Sequence, residues 1–99
     1  MITAEYNEKK LRVQGHALYA PYGKDIVCAG ISAVVQGGAV ALTDNEASFK
    51  FEKADCITIT LAPEPSYHDY IVLRTIITQI KAVAMSYGEF VKVEEKHEF

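Results

Sequence analysis

Two pairs of short strand-like segments, each followed by a longer apolar segment, limit the possible folds of this chain more than any other feature. Turn residues and alternating apolar positions predict strands at Ile2–Tyr6, Lys10–Gln14, Ser48–Glu52, Cys56–Leu61 and Phe90–Glu94. Helix signals predict one helix from Asp25 into the low forties and a second from Ser66 to Gly88. The order ββαββαβ predicts an α/β sandwich of the α+β kind, in which two helices cover one mostly antiparallel sheet.

Length and charge narrow the class of protein further. The 99 residues suffice for one domain, residues 1–99, and 10 Lys and Arg against 13 Asp and Glu give a net charge of -3. This net negative charge does not predict the basic surface that proteins use to bind nucleic acid. No apolar run approaches the roughly 20 residues of a membrane span, and Met1–Glu5 lacks the pattern of a signal peptide. We therefore expect a cytoplasmic protein that binds neither nucleic acid nor membrane.

The two cysteines, Cys28 and Cys56, are too few for a disulfide framework or a cysteine-rich zinc site. We accordingly expect neither a metal nor a cofactor. Cys56 alternates with the apolar positions of its strand, where a cysteine usually serves as a small buried residue. We predict a structural role for it, so Cys28 is the candidate for chemistry.

Cys28 lies in the first turn of the first predicted helix. If Asp25 is the N-cap, the sulfur lies near unpaired backbone N–H groups and the positive end of the helix dipole, which favour the nucleophilic thiolate. The loop at 17–24 can bring His16, at the end of the second strand, to the same point as an ion-pair partner. From residue type alone, however, a core cysteine in an apolar helix remains the simpler interpretation.

Residues 15–32 carry a family resemblance. Gly-His-Ala at 15–17, Gly-x-Asp-Ile-Val-Cys-Ala at 23–29 and then Ser32 resemble the ribosomal-processing cysteine protease family, called Prp. The resemblance implies a short two-layer sandwich that forms homodimers and acts as a cysteine endopeptidase. It places the nucleophile on Cys28 and the general acid and base on His16.

The known substrates of the family indicate which substrate to expect for this chain. Its members remove an N-terminal extension from ribosomal large-subunit protein number twenty-seven, and related proteins process phage capsid or scaffold proteins. The resemblance therefore implies a ribosomal protein precursor as the peptide substrate during ribosome assembly. Two alternatives stay open, a prophage-encoded relative that processes capsid or scaffold protein, and a non-enzymatic assembly or binding module on the same fold.

Supporting roles fall on residues around the motif. Asp25, the family's acidic residue, either caps the helix or orients His16, and its position favours the cap. Ser32, one turn after Cys28, either contacts the site or donates a hydrogen bond from its hydroxyl to a backbone carbonyl of the helix. The backbone N–H groups of Cys28 and its helix neighbours are candidates for stabilising an oxyanion.

The loop at 17–24 supplies candidate substrate contacts. Tyr19 and Tyr22 either clamp an apolar peptide by stacking or pack the loop down. Gly23 is a candidate hinge that lets the loop close over an extended peptide. The acidic balance of the chain also favours a basic substrate, such as a ribosomal protein, through the rate of encounter at modest salt.

The two helices carry further signals. Gly37 and Gly38 stand where the family usually has larger aliphatic residues, so the first helix either kinks there or packs unusually closely. Ser66 and Asp69 have capping-box spacing at the start of the second helix. Apolar residues outside the main stripe of that helix predict a homodimer interface, namely Ile71, Val72, Ile76 and Val83.

Overall fold

A computed structural model describes residues 1–21, 23–53 and 55–99 of the chain. Those residues form five strands and two helices in the predicted order. The strands are β1 (Ile2–Tyr6), β2 (Lys10–Gln14), β3 (Ser48–Lys53), β4 (Cys56–Thr60) and β5 (Val91–Glu95), and the helices are α1 (Ile26–Val40) and α2 (Tyr67–Ser86). The predicted α+β class is confirmed, and the ends of the elements differ from the prediction by only a few residues.

The strands form one mixed sheet in the order β3-β4-β2-β1-β5. Neighbouring strands are antiparallel except for β1 and β5, which pair in parallel. The parallel pair arises because α2 carries the chain from β4 to the far edge of the sheet, beyond β2 and β1. The prediction of a mostly antiparallel sheet is therefore confirmed.

The core lies between the sheet and the helices. Leu11 and Val13 of β2 lie opposite Ile59 and Ile57 of β4, and all four belong to the core cluster or pack against it. The hydrophobic residues that the helices bury recur at helical spacing: Val27, Ile31, Val35, Ala39, Leu73, Ile76, Ile77 and Ile80. In the described part of the chain, neither helix has the length and hydropathy needed to cross a membrane.

One glycine of α1, Gly38, packs directly against α2. The helix runs without a break from Ile26 to Val40. A Cβ at Gly38 would overlap the side chain of Ile76, whereas a Cβ at Gly37 would meet open space. Close packing is therefore the reason for Gly38. The same contact corrects the prediction for Ile76, which is buried in the core at 1% exposure and cannot belong to a dimer surface.

A hydrogen-bonded cluster joins the start of α2 to the segment after α1. Ser66 caps α2 by accepting the Asp69 N–H at 3.2 Å, as the sequence predicts. The Ser66 N–H donates to the Asp44 carboxylate at 2.9 Å, so Asp69 does not complete a capping box. The Asp69 carboxylate turns inward and accepts the N–H groups of Thr43 and Asp44, each at 2.9 Å.

These bonds keep the Asp69 carboxylate charged although its side chain is fully buried. Burial alone raises the pKa of this carboxyl. Hydrogen bonds from the Asp44 N–H, the His68 ring and Thr43 outweigh burial and hold the pKa of Asp69 well below its usual range. The cluster therefore fixes the N-terminus of α2 and depends on an ionised Asp69.

Candidate active site

The corner after β2 presents His16 at the surface. Gly15 has a φ of 96°, and a Cβ there would overlap the Met1 carbonyl oxygen, so a glycine is required at this position. The Gly15 N–H donates to the Asp55 carbonyl at 2.9 Å, which ties the corner to the β3–β4 turn. The His16 side chain, 67% exposed, therefore extends from a backbone that is fixed at Gly15.

Asp25 starts the helix that carries the cysteine. One carboxylate oxygen accepts the N–H groups of Val27 and Cys28, both at 3.0 Å, and the other accepts the Tyr19 N–H at 2.9 Å. The Cys28 N–H, with a smaller contribution from Tyr19, lowers the pKa of the Asp25 carboxyl. Asp25 is thus the N-cap of α1, and it also fastens the preceding loop to the helix.

The surroundings of the two cysteines differ. Cys28 is the third residue of α1, is half-buried, and accepts the Ala17 N–H on Sγ at 3.3 Å. Cys56 is buried on β4, where burial and then the charge of Glu52 raise the pKa of its thiol. The Cys28 sulfur therefore lies at a helix start beside a backbone donor, whereas the Cys56 thiol is buried in the core.

Two clefts meet at His16, Cys28 and Ser32. The inner cleft lies between α1 and the sheet and is also lined by Ile2, Val13, Gly15, Ile31, Val35, Gln36, Phe51, Asp55 and Ile57. The outer cleft lies beside the loop that precedes α1 and is also lined by Leu18, Ala20, Gly23, Lys24, Asp25, Ile26 and Ala29. An extended peptide that occupied both clefts would pass over the sulfur.

The loop residues have distinct positions. The Tyr19 ring meets those of Tyr87 and Phe90 edge to face, with centroids 5.5 and 5.3 Å apart, so Tyr19 packs the loop against the end of α2. Tyr22 lies outside the described residues. Gly23 lines the outer cleft with a φ of 86°, a conformation that favours glycine.

Three side chains near the site were missed by sequence reasoning. Asp55 places a carboxylate oxygen 3.8 Å from His16 Nε2. Leu18 and Ile26 present apolar side chains, 79% and 58% exposed, at the outer cleft, and Leu18 does so with a φ of 58°. The pairing of Gln14 with Cys56 would have placed Asp55 beside the end of β2, but the sequence does not reveal that pairing.

On this two-layer α+β fold, a thiol at a helix start and a histidine line the same two clefts, an arrangement that suits a cysteine peptidase. The family model of cysteine protease Prp matches residues 1–92, and the chain therefore belongs to that family. The resemblance found in the sequence is confirmed.

Individual relatives agree with this assignment. The ribosomal processing cysteine protease Prp of Mycoplasma genitalium is 33% identical over 97 residues, which cover 97% of each chain. The Staphylococcus aureus protease of the same name is 26% identical over 88 residues, 85% of this chain and 83% of that protein.

Solved structures share the fold. The crystal structure of an essential ribosomal processing protease Prp from S. aureus, in complex with a covalently linked product peptide, has a TM-score of 0.88 and 26% identity. The comparison covers 97% of this chain and 100% of that one. The S. aureus protease in complex with a substrate peptide has a TM-score of 0.81 at 24% identity, with the same coverage.

Proposed function

We propose that this chain is an endopeptidase in which Cys28 is the nucleophile and His16 is the general acid and base. The observation that carries the proposal is that both side chains, from the end of β2 and the start of α1, line both clefts where these meet. The S. aureus relative that holds a covalently linked product peptide supports a mechanism with a protein nucleophile.

The proposed reaction has two halves. The Cys28 thiolate attacks the scissile carbonyl carbon, and a C–S bond forms. His16, as an imidazolium, gives its proton to the leaving amine as the C–N bond breaks, which leaves a thioester on Cys28. In the second half, neutral His16 takes a proton from water while the water oxygen attacks the thioester. The C–S bond then breaks, the N-terminal product leaves as an acid, and the thiolate and imidazolium are restored.

The Ala17 N–H is the proposed donor to the oxyanion. The N–H groups of Val27 and Cys28 already donate to the Asp25 carboxylate, and the Ala29 N–H donates to the Asp25 carbonyl at 3.0 Å. These groups at the helix start are therefore occupied, contrary to the expectation from the sequence. The Ala17 N–H donates to Sγ before the reaction, and once Sγ is bonded to carbon this N–H is released to donate to the neighbouring carbonyl oxygen, where negative charge develops.

The proposed substrate is the precursor of ribosomal large-subunit protein number twenty-seven, cut in the cytoplasm during ribosome assembly. Relatives named for ribosomal processing support this substrate. Exposed Leu18 and Ile26 give the outer cleft an apolar wall suited to an apolar segment before the cut. Ser32 and Gly23, which line the outer cleft, are proposed to contact the peptide backbone, and Tyr19, which is 42% exposed, is proposed to contact its side chains.

We also propose that the chain acts as a homodimer. An open groove between α1 and α2 is lined by apolar and small polar residues, among them Tyr67, Ile71, Val72 and Thr75. Tyr67 is 81% exposed and Ile71 is 38% exposed, although both are large and hydrophobic. A second copy that covered this groove would remove the exposed apolar surface from water.

A peptide that spans the N-terminal extension of the ribosomal protein tests the proposed function. We expect cleavage by the wild type, loss of cleavage in Cys28→Ser and His16→Ala, and most of the activity in Cys56→Ser. A peptide with alanine in place of the aromatic residues before the cut should be cut poorly. Wild-type rates in Cys28→Ser would contradict the mechanism, and cleavage of a phage scaffold peptide alone would reassign the substrate.

A further inference from the structure

We infer that Asp55, in the turn between β3 and β4, is a positioning residue that keeps the His16 ring correctly turned for proton transfer to the leaving amine. The inference deepens the proposed function, because it rests on His16 as the general acid and base. Asp55 lies outside the motif that carries the family resemblance.

The first support is the way in which Asp55 is held. Its Oδ2 lies 3.8 Å from His16 Nε2, a contact between charges that is too long for a hydrogen bond. Its carbonyl accepts the Gly15 N–H at 2.9 Å, so the backbone beside the histidine and the backbone of the carboxylate are joined directly. The Asp55 side chain is 34% exposed, against 67% for His16. This backbone bond between the end of β2 and the β3–β4 turn therefore keeps the carboxylate beside the ring.

The second support is the orientation of the ring. A carboxylate beside Nε2 favours a proton on that nitrogen. Nδ1 is then the nitrogen left to exchange a proton with Cys28, and both residues line the inner cleft together with Asp55. The order carboxylate, imidazole, thiol is the arrangement in which an orienting group fixes the tautomer of a catalytic histidine.

The third support is a comparison with the other charged or titratable groups around His16. Cys28 faces it from α1, Lys24 and Asp25 from the loop, and Asp55 from the β3–β4 turn. Both Asp25 oxygens accept backbone N–H groups, and a lysine has no acceptor for a ring N–H. Asp55 is thus the carboxylate placed to orient the His16 ring.

The steady-state kinetics of peptide cleavage in Asp55→Asn test the inference. Without the carboxylate the His16 ring is free to turn away from the thiol, so kcat falls while KM stays unchanged. We expect kcat/KM to fall about two- to fivefold, because partly exposed ion pairs are weak. High salt should shrink the difference from the wild type because it screens the pair. Asp55→Glu should restore most of the wild-type kcat.

Glu64→Gln is the matched control, since it removes one negative charge from an exposed residue beyond the end of β4 that lies away from Asp55. It should leave kcat and KM unchanged. A kcat of Asp55→Asn equal to that of the wild type, with His16→Ala inactive, would overturn the inference and leave the proposed function standing. An equal loss at every salt concentration with a lower melting temperature would also overturn it, because Asp55 would then be structural. Wild-type cleavage by His16→Ala would instead contradict the proposed function.

Discussion

At the scale of single residues, Asp25 links the chemistry to the fold. Its two carboxylate oxygens serve different segments, since Oδ1 caps α1 at Val27 and Cys28 while Oδ2 fastens the loop at Tyr19. The cap places the thiol at the positive end of the helix. The bond from the Tyr19 N–H to Asp25 holds the loop so that the Ala17 N–H and the outer cleft both lie at the Cys28 sulfur.

Asp25→Asn separates these two tasks. Asparagine caps a helix as well as aspartate does, but it has one acceptor oxygen and loses the bond to the Tyr19 N–H. We expect a melting temperature close to that of the wild type and kcat/KM about ten- to a hundredfold lower, because the loop side of the site is misplaced. Asp25→Ala should lower both the melting temperature and kcat/KM. Full activity in Asp25→Asn would show that the loop bond is dispensable.

At the scale of elements, the contact between α1 and α2 depends on one glycine. Gly38→Ala should destabilise the protein by about 1–2 kcal/mol, because overlap with Ile76 exceeds the gain of about 1 kcal/mol in helix propensity. Gly37→Ala meets open space and should stabilise the protein by up to about 1 kcal/mol. Urea denaturation of both variants measures the difference. Equal stabilisation by the two alanines would mean that the helices pack less closely than described.

The junction of α2 with the segment after α1 should be sensitive to acid. The pKa of Asp69 is lowered in the folded protein, so its contribution to stability is present above about pH 4 and is lost as the pH falls toward the lower folded value. Asp69→Ala leaves the N–H groups of Thr43 and Asp44 without their acceptor and should cost about 2–4 kcal/mol at neutral pH. Melting temperature against pH should therefore fall more steeply below pH 4 in the wild type than in Asp69→Ala. Parallel curves would contradict this role.

At the scale of the whole molecule, the open groove between the helices predicts a dimer. Ile71→Glu places a charge on the groove and should yield monomers in light scattering at micromolar concentration, with an unchanged circular dichroism spectrum. Thr78→Glu, on an exposed part of α2 outside that groove, is the matched control and should remain dimeric. A monomeric wild type would contradict the dimer.

Local features of the molecule could be read from the sequence, and contacts between distant segments could not. The order of elements, the cap at Asp25 and the buried faces follow from periodicity and end signals within a few residues. The parallel pairing of β1 with β5, the approach of Asp55 to His16 and the bonds of Asp69 to Thr43 depend on how the strands are ordered. Several topologies satisfy the same local pattern, so periodicity alone could not select these contacts.

Trapping the covalent intermediate tests most directly whether Cys28 is the nucleophile. In an acid-quenched reaction with the cleavable peptide, the wild type should gain the mass of the N-terminal product less one water, and fragment analysis should place the thioester on Cys28. Cys56→Ser should form the same adduct, because that thiol is buried on β4. An adduct on Cys56, or continued cleavage by Cys28→Ala, would contradict the account.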